Sequence, residues 1–226
     1  SKLSHDDNKE KFSEYIVKSS NSIILLVIPI SIGAIVLSKP IVKLLFERGA
    51  FDISATLMTA SALSMYSIGL VAYGLRDIIN KVFYSLQDTK TPMINGAIAM
   101  GLNIVLNIIF VKFMGHAGLA LATSLSALIC TFLLFYSLRK KIGNFGQEKI
   151  LTTAIKSLLS AILMGVCVTF AHAFIINHTG TGFIGQVISI LVSVLAGVIV
   201  YGISVIILKI EEVSMIIDLL MKKIRR

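Results

Sequence analysis

The apolar residues of this chain fall into six blocks, at residues 21–38, 55–75, 93–111, 118–138, 157–176 and 183–208. The segments between them hold most of the charge. Each block is about twenty residues long, the length at which an α-helix rising 1.5 Å per residue crosses roughly 30 Å of hydrocarbon. The ten-residue dyad alternation of a closed barrel is absent, and helices are the other structure that satisfies its own backbone in lipid. The pattern therefore predicts an all-α, polytopic membrane bundle of about six transmembrane helices. No breaker interrupts residues 76–87, so the second helix is expected to run past the hydrocarbon as far as a turn at 88–92. Pro92 then falls in the first turn of the third helix, where its missing N–H costs nothing.

Composition agrees with this reading: 56% of residues are hydrophobic and 15% charged, with a mean hydropathy of +0.89. A formal net charge of +9 raises the question of nucleic acid, and the placement of the cations answers it. Counted on alternate sides of the six blocks, seventeen Lys and Arg lie on the side of the two termini and four on the other. That is the asymmetry of a multi-pass membrane protein with both ends of this segment cytoplasmic, membrane lipids around it and no nucleic-acid partner. Residues 211–226 alternate apolar and charged positions, which suits either an amphipathic helix on the inner leaflet or a solvated terminus. The chain does not open on a cleavable signal pattern. Cys130 and Cys167 sit inside apolar blocks as packing residues.

No metal-ligand spacing, nucleophile elbow or phosphate loop occurs, so no enzyme activity, cofactor or metal is expected. The informative polar residues lie within the third helix and toward the cytoplasmic end of the second. Asn95, Asn103 and Asn107 are spaced by eight and four and share one face of the third helix with Ala99. Amides in hydrocarbon must find partners, so this face meets another helix or a wet cavity. On the second helix Arg76 and Asn80 share a stripe with Tyr73 and Tyr84, while Asp77 and Lys81, four apart, are expected to form a local ion pair. Arg76, Asn80, Asn103 and Asn107 are the candidate substrate-binding residues. His172, alone in an apolar block, reads as a packed or hydrogen-bonded residue. Glycine pairs such as Gly69 and Gly74, Gly96 and Gly101, and Gly197 and Gly202 suit close helix approach or bending.

Three ordered motifs carry a resemblance. The stretch Pro40-Ile41-Val42-Lys43-Leu44-Leu45-Phe46-Glu47-Arg48-Gly49-Ala50-Phe51 resembles the "PI-x-x-LLFERGAF" loop of MurJ/MviN proteins. Tyr66 to Leu70, followed by Phe83-Tyr84-Ser85-Leu86-Gln87-Asp88-Thr89-Lys90-Thr91-Pro92, is similar to that family's "FYSxQDTKTP" segment. Gly115 to Ser124 is the third match. The resemblance implies a lipid II flippase of the multidrug/oligosaccharidyl-lipid/polysaccharide exporter superfamily, which moves an undecaprenyl-linked peptidoglycan precursor across the membrane by alternating access. It also implies a division. Residues 1–145 would supply four helices of the second lobe, and 146–226 two extra C-terminal helices, bordering a polyprenyl groove, with the cytoplasmic tail. The first lobe, upstream in the same protein, would be a partner, and lipid II the substrate.

Other readings are an exporter of polysaccharide-lipids or drugs in the same superfamily, and a membrane scaffold without transport. Drug pumps often couple through intramembrane carboxylates, and the centre of every block here lacks Asp and Glu. A membrane enzyme would have to use an interfacial carboxylate such as Asp52 or Asp88, with nothing nearby to complete a site. Orientation is directly testable. A membrane-impermeant thiol reagent applied to intact cells is expected to label Arg48→Cys and spare Lys140→Cys, and the reverse pattern overturns the charge argument.

Overall fold

The computed structural model describes the backbone of residues 2–180 and 182–213 and the side chains of 10–180 and 182–213. Eight helices follow one another: α1 (Lys2–Val36), α2 (Ser38–Phe46), α3 (Ile53–Ile68), α4 (Leu70–Ser85), α5 (Lys90–Met114), α6 (His116–Ile142), α7 (Gln147–Thr179) and α8 (Phe183–Ile207). No strand occurs among the described residues. Six helical stretches are long and apolar enough to cross a membrane, with α3 and α4 counting as one span over Ile53–Ser85. The expected all-α bundle of six crossings is the observed one. Most of the amphipathic segment expected at 211–226 lies outside the described residues.

Two boundaries differ from expectation. α1 starts at Lys2, well before its apolar block, because the polar stretch contains no Gly or Pro to stop it and Glu14 pairs with Lys18 one turn on, at 2.6 Å. The loop expected after the first span begins as the helix α2, with Pro40 in its first turn, where a missing N–H is tolerated. The second span does continue to Ser85, and Gln87 at φ 57° then turns the chain.

α1 lies at the centre, packed on α7, α4 and α3, while α6 packs on α5, α3 and α4. Ile16, Ile24 and Ile28 of α1 meet Ile79, Val82 and Phe83 of α4 and Leu134 and Leu138 of α6 in the main core. A smaller cluster of Leu37, Met164 and Val168 joins α7 to the end of α1. α5 rests almost wholly on α6.

Lipid gives helices no hydrophobic reason to associate, so close contact and hydroxyl hydrogen bonds hold them instead. Gly69, the junction of α3 and α4, is the tightest example. A Cβ there would lie 2.8 Å from the Ser124 Cα. Ser124 Oγ donates to the carbonyl of Met65 at 2.6 Å, and Thr131 Oγ1 donates to that of Ala72 at 2.9 Å, fastening α6 to both sides of the junction. At the opposite flank Tyr201 OH donates to the Leu25 carbonyl at 2.8 Å and lies 2.8 Å from Ser157 Oγ, joining α8, α1 and α7. Close approach is thus the role of Gly69, Gly74 and Gly197, whereas Gly96, Gly101 and Gly202 have no neighbour within 4 Å of an added Cβ.

Gly69→Val is expected to cost about 1–3 kcal/mol through overpacking, and Tyr201→Phe about 0.6 kcal/mol, the usual worth of one interhelical hydrogen bond in a membrane. Reversible unfolding in a denaturing detergent titration checks both.

Candidate functional site

A polar cavity of about 350 Å³ opens between α4, α5 and α6. Its α4 wall follows from helical spacing. Tyr73, Arg76, Asp77 and Asn80 are three and four residues apart and so lie on one face. Arg76 stands over the Tyr73 ring at 5.4 Å and forms no ion pair with a described residue. The Asn80 Oδ1 is buried without a hydrogen-bond partner. An arginine lining the cavity, with an amide beside it whose oxygen is unsatisfied, offers a polar ligand a charge and hydrogen-bonding capacity toward the end of α4.

α5 supplies the second wall through the predicted asparagine face, and its three amides do different things. Asn95 is buried and donates to Ser137 Oγ at 3.2 Å, while its carbonyl accepts from Cys130 Sγ at 3.8 Å. It joins α5 to α6. Asn103 lines the cavity and reaches Thr123 Oγ1 at 3.5 Å, the outer limit of a hydrogen bond. Asn107 lies one turn further, outside the cavity lining, and donates to Asn103 Oδ1 at 3.0 Å while its own buried Oδ1 has no partner. Three of the four candidate residues, Arg76, Asn80 and Asn103, therefore share one cavity, and Asn107 orients the third.

The expected Asp77–Lys81 ion pair does not form: the two side chains stay beyond ion-pair distance. Lys81 is exposed, and Asp77 turns toward the cavity. An exposed pair of this kind gains little Coulomb energy against the side-chain entropy it must give up. Tyr84 is exposed and takes no part. Thr123 and Ser126 on α6 complete the polar lining and were missed in the sequence, where hydroxyls in an apolar block read as packing residues. Their one visible signal is their position opposite the asparagine face.

Both interfacial carboxylates serve the fold. Asp52 Oδ1 accepts from Ala55 N at 2.8 Å and caps α3. Asp88 accepts from Thr91 N at 2.9 Å and from Thr91 Oγ1 at 2.8 Å at the start of α5, and Lys141 Nζ meets its Oδ2 at 2.6 Å from the end of α6. These bonds, Lys141 first, hold the Asp88 carboxyl well below its ordinary range.

A second cavity, of about 490 Å³, differs in kind. Leu25, Pro29 and Ile30 of α1, Met164 and Val168 of α7, and Val194 and Val198 of α8 make it an almost wholly apolar groove. His172 lies nearby on α7, with Nδ1 2.7 Å from Ser189 Oγ, the hydrogen-bonded state expected for it.

The family model described as "Lipid II flippase MurJ" matches residues 1–192. The chain belongs to the MurJ lipid II flippase family. Among similar members, "Lipid II flippase MurJ" of Thermosipho africanus is 31% identical over 201 residues, covering 89% of this chain and 38% of that protein. The "Probable lipid II flippase MurJ" of Vibrio cholerae is 39% identical over 139 residues, covering 61% of this chain and 26% of that protein. A solved structure of lipid II flippase MurJ in an inward closed conformation superposes with a TM-score of 0.68 at 28% identity, over 89% of this chain and 41% of that one. The chain thus spans about two fifths or less of the family members it matches. Family and architecture together make it a multi-pass membrane chain, with six helical stretches long and apolar enough to cross a bilayer among the described residues.

The depressed Asp88 pKa carries a sign. A carboxyl whose folded pKa lies below its unfolded value of about 3.9 contributes stability above that value and loses it as pH falls. The α4–α5 turn region is expected to gain hydrogen-exchange protection between pH 3 and pH 5 in the native chain. In Asp88→Asn that pH dependence is expected to disappear.

Proposed function

We propose that this chain forms part of a lipid II flippase, which carries the undecaprenyl-linked peptidoglycan precursor across the cytoplasmic membrane for cell wall synthesis. The observation that carries the reading is the polar cavity of α4, α5 and α6, which Arg76 lines with no carboxylate partner among the described residues. Moving a pyrophosphate and its sugar-peptide head through hydrocarbon is costly unless a cation and hydrogen-bonding groups replace water. Arg76 supplies the charge and a planar set of donors suited to phosphate oxygens. Asn80 and Asn103 supply amides beside it, with Asn107 holding Asn103. The apolar groove of α1, α7 and α8 gives a prenyl chain a place that needs no polar partner.

The division follows function. Residues 1–145 carry the polar cavity as a portion of the second lobe, and 146–226 carry α7 and α8, which complete the groove. Alternating access requires a second lobe to rock against, and the upstream first lobe fills that role. Both termini of the segment face the cytoplasm on the strength of the lysine and arginine asymmetry. A transporter of this kind needs no catalytic group of its own.

Bacteria depleted of their own lipid II flippase provide the test. The intact protein is expected to restore growth, and Arg76→Ala to lower flipping about tenfold or more, the worth of a charge-assisted hydrogen bond of about 1.5–3 kcal/mol. Arg76→Lys should fall between them, since it keeps the charge and loses the planar donors. Unchanged flipping in Arg76→Ala, with the protein verified in the membrane, removes this residue from the substrate path.

A further inference from the structure

The apolar groove has a charged end. Along α7, Met164, Val168, His172 and Ile176 recur every four residues and so lie on one face. The first two wall the groove, and the last two wall a smaller pocket of about 160 Å³. The chain entering α2 makes the same passage, with Leu37 just before the helix and Ile41 within it on the groove, and Lys39 and Lys43 on the pocket. From Met164 to Ile176 the helix rises about 18 Å, slightly more than half of a hydrocarbon core of roughly 30 Å. Groove and pocket together therefore extend over about half of a hydrocarbon thickness, toward the end of the bundle where α1 and α7 terminate.

The pocket suits an anion. Lys39 and Lys43 lie one helical turn apart, and no carboxylate lines the pocket. Lys39 forms no ion pair with a described residue, and Lys43 reaches Glu47 Oε1 only at 3.9 Å, the outer edge of pairing. Across from them His172 is fixed by Ser189, whose Oγ lies 2.7 Å from its Nδ1 and donates to its carbonyl oxygen at 3.1 Å. With the Ser189 proton on that carbonyl, Nδ1–H donates to Oγ and Nε2 is left as an acceptor, placed to take the P–OH of a singly protonated phosphate monoester. A hydrocarbon trough that terminates in two ammonium groups and an imidazole is complementary to a long apolar chain with a phosphate at one end.

We propose that Lys39, Lys43 and His172 form a second phosphate station, which holds the phosphate of the polyprenyl carrier while its chain occupies the groove. The inference rests on the proposed function, from which it takes its occupant. What it adds is a grip remote from Arg76: Arg76 lies toward the end of the bundle where α4 terminates, and the new station lies where α1 and α7 terminate.

The test uses the intact protein with undecaprenyl phosphate, undecaprenol and phosphatidylglycerol as probes, read by native mass spectrometry. Lys39→Gln with Lys43→Gln is expected to weaken undecaprenyl phosphate about tenfold and leave undecaprenol unchanged. Gly33→Leu is expected to weaken both prenyl probes, because Gly33 lines the groove and a Cβ added there meets no neighbour within 4 Å, so the new side chain has the groove's own space to enter. If the lysine variant binds undecaprenyl phosphate as well as the native protein while Gly33→Leu still weakens both, the phosphate station is wrong and the groove reading stands. If neither prenyl probe responds to Gly33→Leu, the groove reading fails and takes the station with it. Displacement of undecaprenyl phosphate by an equal concentration of phosphatidylglycerol overturns the choice of occupant and makes this a general anionic-lipid site.

Discussion

A bilayer offers no hydrogen-bond partner, so every polar group inside this bundle must find one within the protein or face a wet cavity. That constraint organises the structure more than hydrophobic packing does, since lipid is as apolar as the side chains that touch it. Hydroxyls answer it by returning to carbonyls: Ser124 to Met65, Thr131 to Ala72 and Tyr201 to Leu25 each bridge two helices. The asparagines of α5 answer it only in part. Asn95 is satisfied, while Asn107 and, across the cavity on α4, Asn80 each keep a buried oxygen without a partner. Of these two, Asn80 lines the polar cavity and Asn107 lies one turn beyond it, while Ser20 and Ser31 of α1 and Ser160 of α7 are buried without partners elsewhere in the bundle.

Packing explains why the cavity exists. α6 is drawn tightly onto the α3–α4 junction because Gly69 has no side chain to keep Ser124 away. α5 packs on α6 and hardly at all on α4, so a space remains between α4 and α5 with α6 as its floor. The turn joining them is secured from outside by Asp88, which takes Thr91 on one side and Lys141 on the other. The cavity is thus framed by one tight helix contact and one ionic fastening, with an open side between them.

The spans were legible in the sequence because a twenty-residue apolar block in lipid has one stable conformation, and the asparagine face was legible because helical periodicity is rigid. What escaped notice depends on neighbours distant in the chain. Lys141 and Asp88 are 53 residues apart, and nothing local to either marks the pair. Asp77 and Lys81 gave the opposite error: their spacing was right and their geometry was not, because spacing states only that two side chains can meet. α2 was hidden for a different reason, since nine residues containing Pro40 and two lysines lack the apolar length that marked the other helices. His172 looked like a packing residue and is one, but packing by Ser189 also holds it opposite Lys39 and Lys43.

The two cavities lie on different flanks of the bundle, and their separation follows from the chemistry of an amphiphile. A cavity that replaces water around a phosphate must be polar, and a polar wall in contact with a prenyl chain would leave its donors and acceptors unsatisfied. A groove suited to the chain, in turn, has nothing to offer a charge except at its end. Distributing the tasks over separate helices lets each be met fully: α4, α5 and α6 carry the amides and the arginine, while α1, α7 and α8 carry the aliphatic walls. α1, which packs on both α4 and α7, is the element these two halves share. On the proposed function, a shift of α4 against α7 would therefore pass through α1, so head and tail would be handled by one mechanical unit despite their opposite solvation.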